Sequence, residues 1–313
     1  MNSLLREIWR NAALLVVTNL FVLYSHAKTQ RRRGAKRSGA GARWSRYILL
    51  SLSVLAAVTP VYWMVTISLK SEVDQFAIPP RWLQFAPTVA HYYDAFFSRS
   101  FGRYLLTSIT VASLSTICAV TLGTLAAYGL ARFRLRAKLD RRLSVWILST
   151  RMFPPIVTAV PLFLMMRDLR LLNTVTSLVI VYTALNLPFV VWMMRGFFRE
   201  LPRELEEAAM VDGDSRLGAL VRVILPLVTP GLAATAVFCL IVSWNEFLLA
   251  LVLTQTDASM TLPVGIAGRV TQYEIKWGVM SAAGVVAMIP ILVFAMAVQR
   301  YLVRGLSLGA VKG

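Results

Sequence analysis

The stretch of residues 231–253 reads GLAATAVFCLIVSWNEFLLALVL and contains a single charged residue, Glu246. A helix rises about 1.5 Å per residue, so about 20 apolar residues cross the ~30 Å hydrocarbon core of a bilayer. This stretch is therefore long and apolar enough to span a membrane.

Five further runs of the same kind flank this stretch, at residues 47–69, 105–131, 143–166, 174–194 and 279–302. The whole chain is 57% hydrophobic and only 15% charged, whereas a typical soluble domain is about 25% charged. Prolines interrupt several runs, but membrane helices tolerate proline because neighbouring groups satisfy the carbonyls that it frees. We predict an all-α integral membrane protein with six transmembrane helices.

The formal net charge is +18, which raises the question of a nucleic-acid partner. The basic residues follow the predicted spans instead. With the amino-terminal side in the cytoplasm, the densest basic segments, 28–46, 132–142 and 300–312, all lie inside. This asymmetry matches the positive-inside rule and places both termini in the cytoplasm. The charge is thus explained as a topology signal, and we expect no nucleic-acid partner.

The first 46 residues differ from the rest of the chain. Residues 14–24 are apolar but too short to span, and Ser25-His26-Ala27 after them resembles a signal-peptidase site. Cleavage there would draw the basic residues 28–46 toward the outer face, so we expect no cleavage. We predict a basic cytoplasmic segment at residues 1–46, with an interfacial helix near its start, followed by a transmembrane domain at residues 47–313. A translation start assigned too far upstream is an alternative.

A long, mostly polar loop, residues 195–230, separates the fourth and fifth runs on the basic side. Pro202 can begin a helix, acidic residues follow in its first turns, and Gly213 can end it. Apolar residues then recur at helical spacing from residue 215 to 225, before Pro226. The pattern predicts two short helices joined by a tight turn. Such an element could fit a groove on a soluble partner, or it could simply pack beneath the bundle.

The same loop carries a recognisable signature. It comprises Glu207-Ala208-Ala209, then Gly213, then Val223, Leu225 and Pro226. These residues resemble the EAA motif of ABC-importer permeases, with valine in place of the usual isoleucine. The resemblance implies that the loop is a coupling helix pair that docks into a separate ATPase subunit. It makes Glu207, Ala208, Ala209, Gly213, Leu225 and Pro226 the candidate ATPase-coupling residues.

The wider chain resembles the second, smaller membrane subunit of maltose-type transporters, in the type I ABC importer permease class. This resemblance implies a bacterial cytoplasmic (inner) membrane location and transport of a sugar, oligosaccharide or polyol. It also implies three partners: a homologous second permease subunit in a heterodimer, an ATPase subunit dimer, and an extracytoplasmic substrate-binding protein that the outer loop, residues 70–103, contacts. ATP would be used by the partner subunit, and we expect no cofactor on this chain.

Polar side chains inside a membrane are costly, and by default they mark function or contacts between helices. One hypothesis is that a solvated cavity for the substrate is lined by Tyr182, Asn186, Trp244, Asn245 and Glu246. The alternative is that these groups only bind neighbouring helices or shape an outer gate. Arg151 lies at a different predicted depth from Glu246, so we assume no ion pair between them.

Several catalytic and metal-binding patterns are missing from the sequence. It has no G-x-x-x-x-G-K-[ST], H-E-x-x-H or G-x-S-x-G, and its two cysteines and two histidines form no zinc pattern. We therefore expect a transport subunit that is not an enzyme and holds no metal. Two alternatives stay open: a secondary transporter driven by an ion gradient, and an ABC permease for a non-sugar solute.

Overall fold

The computed structural model describes residues 40–98, 100–133, 139–268 and 275–308. The helix predicted near the amino terminus and the final residues 309–313 lie outside this part of the chain. The described residues are mostly helical and form no β-strand. The chain divides into two compact units, Met1–Val89 and Ala90–Gly313.

The described residues of the first unit, 40–89, form one long helix and one short one. Helix α1 is Ala40–Leu69, and its segment Tyr47–Leu69 is apolar and long enough to cross a membrane. This segment has the same bounds as the first predicted span. Pro60 lies inside α1 without ending it. Helix α2 is Glu72–Gln75, and the hydroxyl of Ser71 caps it by accepting from the backbone N–H of Asp74 at 3.3 Å.

The second unit carries the remaining helices. They are α3 Ala90–Tyr93 with a wide π turn at Asp94–Ser98, α4 Phe101–Arg132, α5 Leu139–Thr150, α6 Pro155–Asp168, α7 Val175–Glu200, α8 Glu204–Val211, α9 Arg216–Ala219 with a π turn at Leu220–Ile224, α10 Leu225–Asn245, α11 Leu248–Leu253, α12 Leu262–Ala267 and α13 Trp277–Leu308. Four segments of these described helices are long and apolar enough to span a membrane. They are α4, α7, the continuous segment Arg216–Asn245 and the segment Trp277–Phe294 of α13.

The third predicted span, residues 143–166, is not one continuous helix. Helices α5 and α6 meet at a bend of 92°, and the pair counts as a sixth span only if the two are taken together. The break falls at two consecutive prolines, where Pro154 has extended backbone angles, φ −58° and ψ 131°. A proline disfavours helical geometry in the residue before it, and each proline lacks an N–H donor. Two in succession therefore end α5, whereas the single Pro161 is accommodated inside α6.

The fifth predicted span, residues 231–253, is also interrupted. Helix α10 ends at Asn245, Glu246 has extended backbone angles, and α11 begins at Leu248. At its other end the helix starts much earlier than expected, because α9 and the π turn run directly into α10. The predicted helix end before Pro226 was therefore wrong. In the wide turn the N–H of Leu225 donates to the carbonyl of Leu220, five residues back, immediately before the proline that lacks an N–H.

The core of the second unit is formed where α4, α7 and α10 pack together. One buried cluster in this packing includes Tyr128, Val190, Met194, Phe198 and Cys239. Gly123 of α4 faces Val190 of α7, and a Cβ added at this glycine would lie 2.7 Å from the valine side chain. Only glycine permits so close an approach, as is common where membrane helices pack.

Candidate functional site

The loop between α7 and α10 has the turn that the sequence predicts. Helix α8 ends at Val211, and Gly213 then adopts a left-handed conformation with φ 93°. The N–H of Asp214 reaches back to the carbonyl of Ala209 at 3.0 Å, which closes the end of the helix. The Ser215 hydroxyl accepts from the N–H of Gly218 at 3.1 Å and begins α9. The chain therefore reverses direction over very few residues.

The six candidate coupling residues fall into two groups. Glu207, Ala208 and Gly213 are exposed and Ala209 is half-buried, so the motif forms an accessible surface along α8 and its turn. Leu225 and Pro226 lie in the first turn of α10, past the π turn. They are thus part of the spanning helix, and the structure separates them from the exposed surface of α8.

Glu206, one residue before the motif, faces the opposite way. Its side chain is 10% exposed and pairs with Arg132 at the end of α4, with Nε 2.5 Å from Oε1. The hydroxyl of Tyr128, one turn earlier on α4, donates to Oε2 of Glu206 at 3.2 Å. Nη1 of Arg132 also donates to the carbonyl of Leu201 at 3.2 Å. We call the contact of Arg132 with Glu206 and Leu201 the arginine clamp.

An open, polar pocket of ≈ 300 Å³ adjoins the arginine clamp. At one side of this pocket, the guanidinium of Arg216 lies 5.4 Å from the ring centroid of Phe133. The pocket is lined by Arg132, Phe133, Arg203, Glu206, Glu207, Met210 and Arg216. It therefore combines basic and acidic groups next to the exposed face of α8.

A second group of polar residues lies inside the helix bundle, at the break between α10 and α11. Glu246 accepts hydrogen bonds from the N–H of Leu249 at 2.8 Å and the N–H of Ala250 at 3.0 Å. Its Oε2 also accepts from the hydroxyl of Tyr182 on α7 at 2.6 Å. The carboxylate thus satisfies backbone donors that the start of α11 would otherwise leave without partners.

Asn186 extends this contact along α7. Its Nδ2 donates to Ser243 Oγ at 2.9 Å and to the carbonyl of Tyr182 at 3.0 Å. Ser243 Oγ lies 3.3 Å from Ser115 Oγ on α4. Side-chain contacts among Ser115, Ser243 and Asn186 therefore connect α4, α10 and α7, and the backbone carbonyl of Tyr182 continues this polar chain toward Glu246.

Trp244 and Asn245 do not join this chain. The indole of Trp244 is buried and donates to the carbonyl of Ala287 in α13 at 3.2 Å. Asn245 is exposed, and its Nδ2 donates to the carbonyl of Ile241 in its own helix at 2.8 Å. The structure thus brings Tyr182, Asn186 and Glu246 together. Trp244 contacts α13 instead, and Asn245 bonds within its own helix.

Glu246 also lines an open, mainly apolar groove of ≈ 630 Å³ formed by the bend between α5 and α6 together with α7 and α10. Arg151, in the bend, lines the same groove. Its Nη1 donates to the carbonyl of Leu185 at 3.1 Å, and its guanidinium lies 5.4 Å from the ring of Phe189 and 5.9 Å from that of Phe238. Within the described ranges, no group of three or more His, Cys, Asp or Glu side chains could hold a metal ion.

Residues 119–308 match the family model described as the binding-protein-dependent transport system inner membrane component. The chain belongs to this family. It is therefore a multi-pass membrane transport subunit, a permease, and the EAA-type signature of α8 is in keeping with that membership.

Two relatives cover most of the permease. The sulfoquinovosyl glycerol transport system permease protein SmoH of Agrobacterium fabrum is 38% identical over 268 residues, which cover 86% of this chain and 93% of the relative. The trehalose/maltose transport system permease protein MalG of Thermococcus litoralis is 35% identical over 274 residues, which cover 86% of this chain and 97% of the relative.

The fold of the permease also matches a solved structure. A chain of a bacterial ABC transporter involved in the import of the acidic polysaccharide alginate superposes with a TM-score of 0.72, covering 85% of this chain and 99% of that chain, at 23% sequence identity. At this identity the match concerns the fold. It agrees with the predicted type I importer architecture.

The sequence of the permease does not indicate that Glu206 and Arg132 form an ion pair. The sequence shows only an acidic first turn in α8, and no pattern indicates which carboxylate turns inward. Ser115 and Ser243 were also missed as partners of Asn186, although small polar residues in apolar runs are a known signal of helix contacts in membranes.

Proposed function

We propose that this permease, together with a homologous second membrane subunit, forms the translocation path of an ABC importer for a sugar, oligosaccharide or polyol. A separate ATPase dimer supplies the energy and uses the ATP, and this chain binds no cofactor itself. An extracytoplasmic binding protein delivers the solute, in keeping with the family description. The observation that carries the proposal is the arrangement of α8. Its exposed side bears Glu207 and Ala208, and on the opposite, buried side Glu206 pairs with Arg132 of α4.

The proposed topology places α8 and both termini in the cytoplasm of a bacterium, with the chain in the inner membrane. The basic segments 28–46 and 132–142 support this orientation, because positively charged loops favour the cytoplasmic side. Residues 1–46 then form a basic cytoplasmic segment. Because α8 follows α7 on the same side as residues 132–142, it can reach a cytoplasmic ATPase.

The carbohydrate assignment rests on the relatives. Their names specify sulfoquinovosyl glycerol and trehalose or maltose, and all three are glycosidic solutes. The groove beside the bend supports a solute path, since ligand sites combine a mainly apolar lining with a few polar groups. Of the five candidate path residues, Glu246 reaches this groove. Tyr182, Asn186 and Trp244 contribute by connecting neighbouring helices, whereas Asn245 bonds within its own helix.

The test is reconstitution with the proposed partners: a second permease subunit, an ATPase and a binding protein from the same organism. Uptake of radiolabelled maltose, trehalose and a glycerol glycoside into proteoliposomes is measured with ATP inside. We expect uptake of at least one probe to need ATP and the ATPase, and to continue when a protonophore removes the ion gradient. Uptake that stops with the protonophore and ignores the ATPase would support a secondary transporter instead.

A further inference from the structure

Helix α8 needs a rigid connection to a spanning helix if its movement is to have any effect inside the membrane. It has only eight residues, too few for a helix that is stable by itself in water. At its end, the left-handed Gly213 connects it to α9, which continues into the fifth span. At its beginning, the extended Leu201 separates it from α7.

The arginine clamp supplies that connection at the beginning of α8. Arg132 is the last residue of α4, and its side chain is only 5% exposed. One guanidinium thus contacts the first turn of α8 through Glu206 and the end of α7 through the Leu201 carbonyl. Tyr128 adds a second contact from α4 to the same carboxylate. Charge-assisted hydrogen bonds of this kind are short and have fixed geometry.

The burial of this pair separates it from the surface ion pairs of the same loop. Asp214 and Arg222 also pair at 2.6 Å, but the arginine side chain there is 72% exposed. Exposed pairs contribute little and are screened by salt. A buried pair holds its partners firmly, because separating the charges would leave each of them without solvation.

We propose that Arg132 and Glu206 are positioning residues that make α8 and the adjacent end of α4 move as one rigid body. Displacement of α8 by the ATPase then moves α4, and through the close contact of Gly123 with Val190 it also moves α7. This inference rests on the proposed function. It assigns the transfer of motion from α8 to α4 to Arg132 and Glu206, which both lie outside the exposed motif.

The experiment uses the assembled transporter in nanodiscs, with spin labels on α8 and α4. Labels are attached at Val211→Cys and Leu125→Cys, two exposed positions, after Cys118→Ser and Cys239→Ala remove the native thiols. The distance between the labels is measured without nucleotide and after trapping with ATP and vanadate. With the clamp intact, we expect this distance to stay the same in both states.

Two clamp variants are compared with a matched control. Arg132→Gln leaves Glu206 as a buried lone charge and can reduce folding, so the double variant Arg132→Gln with Glu206→Gln is measured beside it, because it buries no charge. In both variants we expect the label distance to shift by roughly 2 Å or more on trapping, the size of typical helix displacements. Glu204→Gln, an exposed acid in the same turn, should behave like the parent.

Each result decides one point. A distance that changes in the parent, or that stays fixed in the double variant, overturns the inference while the proposed function stands. Failure of any ATPase to copurify with the parent overturns the proposed function and the inference with it. Arg132→Lys keeps the charge but cannot contact two acceptors in the same way, and we expect it to give a shift smaller than that of the double variant.

Discussion

Tyr182 donates its hydroxyl hydrogen to the carboxylate of Glu246 over 2.6 Å, and it thereby connects the first third of α7 to the break between α10 and α11. Glu246 is the one charged residue of the run in which it lies. The structure uses it as a helix cap, with two backbone N–H groups and one phenol as donors.

Replacing Glu246 with alanine removes the acceptor for all three donors. We expect the free energy of unfolding to fall by about 2 kcal/mol, in the range for a lost cap with buried donors left without partners. The measurement is thermal unfolding of the purified transporter in detergent. Asn245→Ala, next to it and exposed, should stay within about 0.5 kcal/mol of the parent. Equal stability of the two variants would contradict the capping role.

Gly213 should be sensitive to substitution for a backbone reason alone. A Cβ at this position would meet no atom within 4 Å, but φ is 93°. We expect Gly213→Ala to lower the free energy of unfolding by about 1–2 kcal/mol, because an L-residue is strained in the left-handed region. For the same reason Gly213→Asp should distort the turn, so that the protein still inserts into the membrane but ATP-driven uptake is lost. Gly196→Ala, in a helix and equally uncrowded, is the control, and a similar cost at both glycines would refute the explanation.

The approach of α4 to α7 should depend on Gly123. Gly123→Ala would place a methyl group 2.7 Å from the side chain of Val190. We expect a loss of about 1–3 kcal/mol from overpacking, whereas an alanine in place of Gly196 should be neutral or stabilising, since alanine favours helix. Chemical denaturation of the two variants in the same detergent compares them directly. The idea fails if Gly123→Ala is as stable as the parent.

The exposed side of α8 should control binding of the ATPase. Ala208→Glu adds a bulky charge to a surface residue, so the permease should insert normally. We expect the amount of ATPase that copurifies with it to fall about tenfold, since a misplaced charge at an interface costs several kcal/mol. Ala209→Glu should act in the same direction. Arg222→Gln, which breaks only the exposed pair with Asp214, serves as the control and should copurify normally.

The spans could be predicted from the sequence because length and apolar composition alone determine whether a helix can cross a bilayer. The breaks within spans were harder. Pro154 and Pro155 stand together and end α5, but Pro60 and Pro161, each alone, lie inside helices. No proline marks the break at Glu246, which depends on the partners that its carboxylate finds after folding.

The candidate sites divide in the same way. The turn at Gly213 could be predicted because glycine has a distinctive local conformation. The inward direction of Glu206 could not, because it depends on Arg132, which is distant in sequence. The sequence also did not indicate that the helix continues from α9 into α10 through Pro226. A π turn is a feature of backbone geometry, and no residue type is specific to it.

The wide turn at Leu220–Ile224 has a consequence for the whole fifth span. It holds one residue more than an ordinary turn, and one residue corresponds to about 100° of rotation about the helix axis. Without that extra residue, Ser243 would turn away from Asn186, and the chain would leave α10 toward Glu246 in another direction. The direction in which Ser243 and Glu246 point is thus determined by a turn about twenty residues earlier in the same continuous helical segment.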